Sequence, residues 1–202
     1  MPIFLLIRHG ENDYVKQGKL AGRLPGVHLN ETGRQQATRL VENLSKAPLK
    51  AIYSSPLERA LETAVPLAQA RGLEIQVRPG LLETDIGDWT DQPLKALRRT
   101  RQWKTVQLAP SRFRFPAGET FAESQQRMVN ELEALCLLHT AKDLVACVSH
   151  ADPIKLAVAY YLGLPLDNFQ RLNISPGSIT ALQLNENSST LLTLNSYSPF
   201  MK

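Results

Sequence analysis

Ile3-Phe4-Leu5-Leu6-Ile7-Arg8-His9-Gly10-Glu11 sets five consecutive apolar residues directly before a cation, an imidazole, a glycine and an acid. An apolar run this short, cut off by charge, reads as a strand covered on both faces, as in a parallel α/β sheet. Ligands in such sheets collect beyond the carboxyl ends of the strands. Arg8 and His9 are therefore expected where chemistry is done, with Gly10 letting the backbone turn close to a ligand. Taken alone, an Arg-His pair at a strand end reads more readily as a solvated turn.

The same pattern recurs further along the chain. Ala51-Ile52-Tyr53 runs into Ser54-Ser55-Pro56-Leu57-Glu58-Arg59-Ala60, and Leu144 to Val148 runs into Ser149-His150. Helical segments separate these strands. Thr32-x-x-Gln35 reads as a capping box, with Ala37, Leu40, Val41 and Leu44 repeating behind it, and this helix should end before Pro48. Ser55 with Glu58, and Pro56 at the first helical position, predict a second helix that places Arg59 in its first turn, where backbone N–H groups favour anions. Pro66 should kink or restart it. Ile75 to Val77 is a third short strand and Arg78-Pro79-Gly80 a turn. Pro93 to about Trp103 and Phe121 to His139 read as helices, Asp152-Pro153 starts another and Gly163 ends it. Ser178 to Leu184 and Thr190 to Leu194 form an antiparallel hairpin through Asn185-Glu186-Asn187. This alternation predicts an α/β three-layer sandwich: one domain over 1–202, a mixed, mostly parallel sheet, and helices on both faces.

A chain of 202 residues suffices for one domain with a full core, and 43% hydrophobic with 21% charged residues is ordinary globular composition. No apolar stretch reaches 18 residues, and no basic segment followed by a long apolar one opens the chain. A cytoplasmic enzyme with no membrane contact is the expectation. Cys136 and Cys147 fall in apolar segments with no CxxC pair, and His9, His28, His139 and His150 form no cluster at metal-ligand spacing, so neither metal nor cofactor is expected. No P-loop, dinucleotide or nucleophile-elbow motif occurs. The net charge of +4 suits an anionic small-molecule substrate. Lys95, Arg98, Arg99, Arg101, Lys104, Arg112 and Arg114 lie in a stretch without an acid, beside Trp89, Trp103, Phe113 and Phe115. A solvated helix and loop explain this better than a nucleic-acid surface, and an anion-attracting lid lies between. Homo-oligomerisation is left open.

Four motifs in order, Arg8-His9-Gly10-Glu11, Ser54-Ser55-Pro56-Leu57-x-Arg59-Ala60, Glu83-x-x-x-Gly87-x-Trp89 and Ser149-His150, resemble the phosphoglycerate-mutase-like histidine phosphatase superfamily. The resemblance runs from about Ile3 to the final strands. It implies the mutase-like fold, a substrate-facing cap around 84–120, and phosphoryl transfer through a phosphohistidine. Gly118-Glu119-Thr120-Phe121 with Arg127 also looks like a family segment.

Such chemistry needs an in-line nucleophile, neutralisation of the equatorial oxygens, and an acid for the leaving oxygen. Arg8 and Arg59 offer planar forks for phosphate, and His150 a third donor when protonated. Residue chemistry is symmetric between the two imidazoles; the resemblance makes His9 the nucleophile, kept neutral by neighbouring cations, with one ring nitrogen facing phosphorus and the other expected to donate to a backbone carbonyl. The resemblance likewise selects Glu83 over Asp85 and Asp88 as general acid. That role needs a raised pKa, expected from desolvation by Leu81, Leu82 and Ile86.

The chain departs from the commonest family form at several positions. Val15 replaces an asparagine six residues after the nucleophile, so one phosphate contact is missing or comes from Asn12. In the segment from Ala21 to Asn30, which contains Gly22, Arg23 stands in place of a Gly-Trp pair; a substrate contact and a surface arginine are equal alternatives for it. Ala151 replaces the glycine after the second histidine. Asn12, Gly22, Arg23 and Ala151 are thus the expected substrate-binding positions. This form resembles a bacterial subgroup labelled phosphomutase or phosphatase. The chain stops at Lys202, eight residues after the last expected strand, which suggests incomplete closure over an intermediate. The expectation is a metal-independent phosphomonoesterase, with phosphomutase as runner-up and a non-catalytic phospho-ligand module behind both.

Overall fold

The computed structural model describes residues 2–185 and 187–198. Strand β1 (Ile3–Arg8) leads through a short helix α1 (Asp13–Gln17) to helix α2 (Glu31–Asn43), strand β2 (Leu49–Ser54), helix α3 (Glu58–Arg71) and strand β3 (Ile75–Val77). Two single 3₁₀ turns and the short helices α4 (Leu94–Leu97) and α5 (Arg101–Leu108) follow. Helix α6 (Phe121–Cys136), strand β4 (Leu144–Ser149), helix α7 (Ala151–Tyr161) and strands β5 (Ile179–Leu184) and β6 (Ser189–Ser196) complete the chain. Glu186 in the expected hairpin turn, and the end at Lys202, lie outside the described residues.

The sheet order is β3-β2-β4-β1-β5-β6. The first four strands are parallel, β5 runs antiparallel to β1, and β6 runs antiparallel to β5 and so returns to the direction of the first four. Alternation along β1 explains the layers: Phe4 and Leu6 pack against Met128 and Leu132 of α6 and Ile154 and Val158 of α7, while Leu5 and Ile7 pack against Leu40 of α2 and Ala64 and Leu67 of α3. Residues 84–120 bring a core of their own. Phe115 meets Trp89 and Phe113 edge to face, those two are tilted against each other, and Phe121 and Phe169 continue the cluster. The aromatic residues beside the basic stretch are thus turned inward, and the seven cations lie on the outside.

Four local expectations are corrected. Helix α2 is capped by Asn30, whose side chain accepts from Gly33 N, and Thr32 lies inside the first turn. Helix α3 begins at Glu58 after Leu57, so Ser55 is no N-cap and Pro56 precedes the helix. Pro66 does not restart it: α3 runs through to Arg71, held on both sides of the proline by buried Ala60, Ala64 and Leu67. The segment from Pro93 to Trp103 is two helices, divided where Thr100 caps α5 by accepting from Trp103 N.

Candidate active site

Three neighbouring strands end side by side. Arg8 of β1 pairs with Ser149 of β4, and Ser54 of β2 pairs with Val148 of β4. The ladder continues one step further, with His9 N donating to Ser149 O at 2.9 Å and Ser55 N to Val148 O at 2.9 Å. His9, His150 and Ser55 therefore emerge from adjacent strands at one edge of the sheet. The imidazoles of His9 and His150 lie edge to face, their centroids 5.1 Å apart.

His9 is buried, and its Nδ1 lies 2.7 Å from Gly10 O. A carbonyl only accepts, so Nδ1 carries the proton and Nε2 is left with its lone pair. Burial first, then the charges of Arg59 and Arg8, hold His9 well below the ordinary histidine pKa. Gly10 itself is required by packing: a Cβ there would lie 2.6 Å from Gly33 O of α2. Its N–H donates to Thr63 Oγ1, which in turn donates to Arg59 O, tying the turn after β1 to the first turns of α3.

A cavity of about 230 Å³ opens here, with Arg8, His9, Asn12, Arg59, Glu83 and Asp152 among its walls. Its buried donors are left open. Arg8 donates one Nη to Ile174 O and Arg59 one Nη to Gly22 O, while Arg8 Nε and Arg59 Nη1 have no partner among the described residues. Asn12 caps α1 by accepting from Val15 N, which leaves its buried Nδ2 unpartnered. His150 Nε2 lies 2.8 Å from Ser55 Oγ, and its Nδ1 is likewise unpartnered. Unpaired buried donors are costly, and the three on the cavity wall, from Arg8, Arg59 and Asn12, suit an anion with several oxygens. Burial and the nearby cations, Arg59 foremost, hold His150 well below the ordinary histidine pKa; Ser55 Oγ can donate or accept, and when it donates to Nε2 the neutral ring offers Nδ1–H as a donor.

Glu83 sits in the irregular stretch between the two 3₁₀ turns, on a loop fastened to β4 by Ser149 Oγ donating to Leu81 O. Its Oε1 accepts from Thr84 N, and its Oε2 lies 3.9 Å from His150 Nδ1. Burial and then the like charge of Asp152 push the carboxyl up to about 7, against the pull of Arg59 and Arg8. The sequence reading anticipated the desolvation and missed Asp152, which occupies the first turn of α7 on the cavity wall and pairs with Lys155. Its only signal was an acid next to the second histidine. Asp85 and Asp88 lie off the cavity: Asp85 faces Arg23 and accepts from Gly87 N, and Asp88 is exposed.

Of the other expected positions, Gly22 and Ala151 line the cavity with Asn12 and Val15. Arg23 does not; its guanidinium is taken up by Glu83 O, Glu119 and Asp85. Tyr14, Lys19, Leu20, Ile86 and Leu94 also stand on the wall, with Lys19 paired to Asp91 at 2.7 Å. Apart from Ile86, none of these was expected from the sequence, because the segment 18–20 meets 91–94 through backbone bonds and the Lys19–Asp91 pair. No group of three or more His, Cys, Asp or Glu among the described residues is placed to hold a metal ion, and no described helix is long and apolar enough to cross a membrane.

The family model described as histidine phosphatase superfamily (branch 1) matches residues 4–197. Phosphoserine phosphatase 1 of Hydrogenobacter thermophilus is 30% identical over 196 residues, covering 95% of this chain and 90% of that protein. Among solved structures, the Bacillus stearothermophilus protein YhfR superposes with a TM-score of 0.90 at 27% identity, over 98% of this chain and 99% of that one. A mycobacterial glucosyl-3-phosphoglycerate phosphatase superposes with a TM-score of 0.87 at 28% identity, over 96% and 98%. With a match that runs from the first strand to the last, the chain belongs to the histidine phosphatase superfamily.

Proposed function

We propose that this protein is a metal-independent phosphatase that hydrolyses a small, acidic phosphate monoester through a phosphohistidine on His9. The observation that carries the reading is a buried imidazole, held well below the ordinary histidine pKa with Nε2 free, on the wall of a cavity where Arg8, Asn12 and Arg59 have unpartnered donors, with the unpartnered Nδ1 of His150 nearby but off the wall. In the first step the Nε2 lone pair attacks phosphorus in line and the ester P–O bond breaks. Its electron pair leaves on oxygen, which takes the proton of Glu83. The two guanidiniums, the Asn12 amide and the His150 Nδ1–H meet the equatorial oxygens, so charge is neutralised without a metal ion. In the second step Glu83, now a carboxylate, takes a proton from water as that water attacks phosphorus, and the N–P bond breaks to free phosphate and His9. A pKa of about 7 suits a group that must give and then take a proton near neutrality.

The cavity volume fits a small ester, and relatives are named for phosphoserine and glucosyl-3-phosphoglycerate, both esters that carry a carboxylate. Residues 84–120, which contribute Ile86 and Leu94 to the wall, act as the substrate-facing cap. The test is phosphate release across a panel of metabolite monoesters, with and without EDTA, for the wild type and His9→Ala. Release that survives EDTA and is lost in His9→Ala is expected. Loss on chelation overturns metal independence; fast isomerisation of 3-phosphoglycerate in the presence of bisphosphoglycerate with negligible release makes the protein a mutase instead.

A further inference from the structure

Glu83 belongs to a segment with neither helix nor strand around it, yet a general acid must hold its proton on the leaving oxygen to within about 0.5 Å. The loop is gripped from outside the cavity by two arginines that touch no part of it. Arg127 of α6 donates through Nη1 to Gly80 O at 2.9 Å and Leu82 O at 2.8 Å, and through Nη2 to Glu83 O at 3.3 Å. Arg23 donates through Nε to that same Glu83 carbonyl at 2.8 Å. Both lone pairs of the peptide oxygen of the acid are thus occupied by guanidinium N–H groups. A single carboxylate oxygen, Glu119 Oε1, then locks the pair, accepting from Arg23 at 3.1 Å, Arg127 at 2.8 Å and the backbone N–H of Asp85 at 2.9 Å. The carbonyl of Gly22, one residue before Arg23, accepts from the buried Arg59. Adjacent peptide units therefore hold the phosphate-binding guanidinium on one side and the acid on the other.

We propose that Arg23, Glu119 and Arg127 are positioning residues: a clamp that fixes the distance from the phosphate site to the Glu83 carboxyl, and so governs proton delivery to the leaving group without contacting substrate. This rests on the phosphatase reading and on Glu83 as its acid. Charge-assisted bonds to a carbonyl are the strong class of hydrogen bond, and four of them converge on three carbonyls of one short loop. Loss of an arm lets the carboxyl drift, which harms only esters whose leaving oxygen needs the proton.

The test is kcat/KM, which reports P–O cleavage, across ring-substituted phenyl phosphates from 4-nitrophenyl phosphate, whose leaving oxygen needs no proton, to phenyl phosphate, whose oxygen does. The wild type is expected to show little dependence on leaving-group pKa and Glu83→Gln a steep one. Arg23→Met and Arg127→Met should fall between them, with a loss of roughly 10-fold or more on phenyl phosphate, a modest share of the effect of a whole general acid, and little change on 4-nitrophenyl phosphate. Arg127→Lys should recover part of the loss. Arg23 has a side chain 30% exposed, so its truncation leaves the packing of α6 intact and the test stands even where Arg127→Met does not fold. A wild-type dependence retained in Arg23→Met, or an equal loss across the series, overturns the clamp. If the wild type releases no phosphate from any of these esters, or Glu83→Gln keeps the wild-type dependence, it is the underlying reading that fails.

Discussion

At the scale of single residues, protonation states in the site are set by neighbouring groups. Gly10 O fixes the tautomer of His9, and burial with the like charge of Asp152 raises the pKa of Glu83. The acid form of Glu83 is needed for the first step, so kcat/KM on phenyl phosphate should decline as pH rises through about 7. Asp152→Asn removes the like charge that raises this carboxyl, which then gives up its proton earlier. A pH profile should show the alkaline limb moved to lower pH; a limb unmoved or moved upward contradicts the assignment. The residues that the sequence made legible here, Arg8, His9, Arg59, Glu83 and His150, each stand at the end of an apolar run or in a motif. Those it hid act across the fold. Ser55 looked like a helix cap because its partner lies 95 positions away, and Arg23 looked like a substrate contact because Glu119 and Arg127 lie equally far off in sequence.

At the scale of elements, strands were more legible than helix ends. A buried strand announces itself by uninterrupted apolar residues, whereas a helix start is a competition among neighbouring caps. Thr32-x-x-Gln35 and Thr120-x-x-Glu123 carry the same pattern, and only the second is a capping box. Asn30 wins in the first case because its amide also donates to Glu11 beside the nucleophile, a tertiary tie that local sequence does not show. Helix α3 survives Pro66 because one missing N–H costs less than exposing the stripe it buries against the sheet. The loop carrying Gly22 is more demanding. Gly22 has φ +51°, and a Cβ would lie 2.7 Å from Ile86 and 3.0 Å from Thr90. Gly22→Ala should therefore cost about 1–3 kcal/mol of stability, and should weaken inorganic phosphate binding by displacing the carbonyl that holds Arg59. Denaturant melts and phosphate titration check both; an unchanged phosphate affinity removes the link between loop and arginine.

At the scale of the whole molecule, buried titrating groups tie the fold to pH. His9 and His150 stay neutral when folded but take up protons when unfolded below about 6.5, so each lowers stability as the pH falls beneath that value. Glu83 has the opposite sign: from about 4.5 to about 7 it keeps a proton when folded that the unfolded chain has lost, so its contribution worsens as pH rises through that window. Two imidazoles outweigh one carboxyl between about pH 6 and 5, so these groups together lower stability on acidification there, and Glu83→Gln should steepen the fall. Urea unfolding at intermediate pH values measures both slopes; equal slopes would place the carboxyl pKa near its unfolded value.

The aromatic cluster gathered by residues 84–120 has a consequence for how such a molecule can diversify. Arg8 ends β1, which is locked in register, with His9 directly after it, and Arg59 stands in the first turn of α3, whereas Ile86 and Leu94 of the cavity wall ride on a lobe folded about Trp89, Phe113 and Phe115. Insertions, deletions and substitutions in that lobe can accumulate without disturbing the machinery beneath it as long as Glu119, which holds Arg23 and Arg127, is kept. Transplanting the lobe between relatives should therefore exchange their preferences among esters while leaving the phosphorylated intermediate common to both.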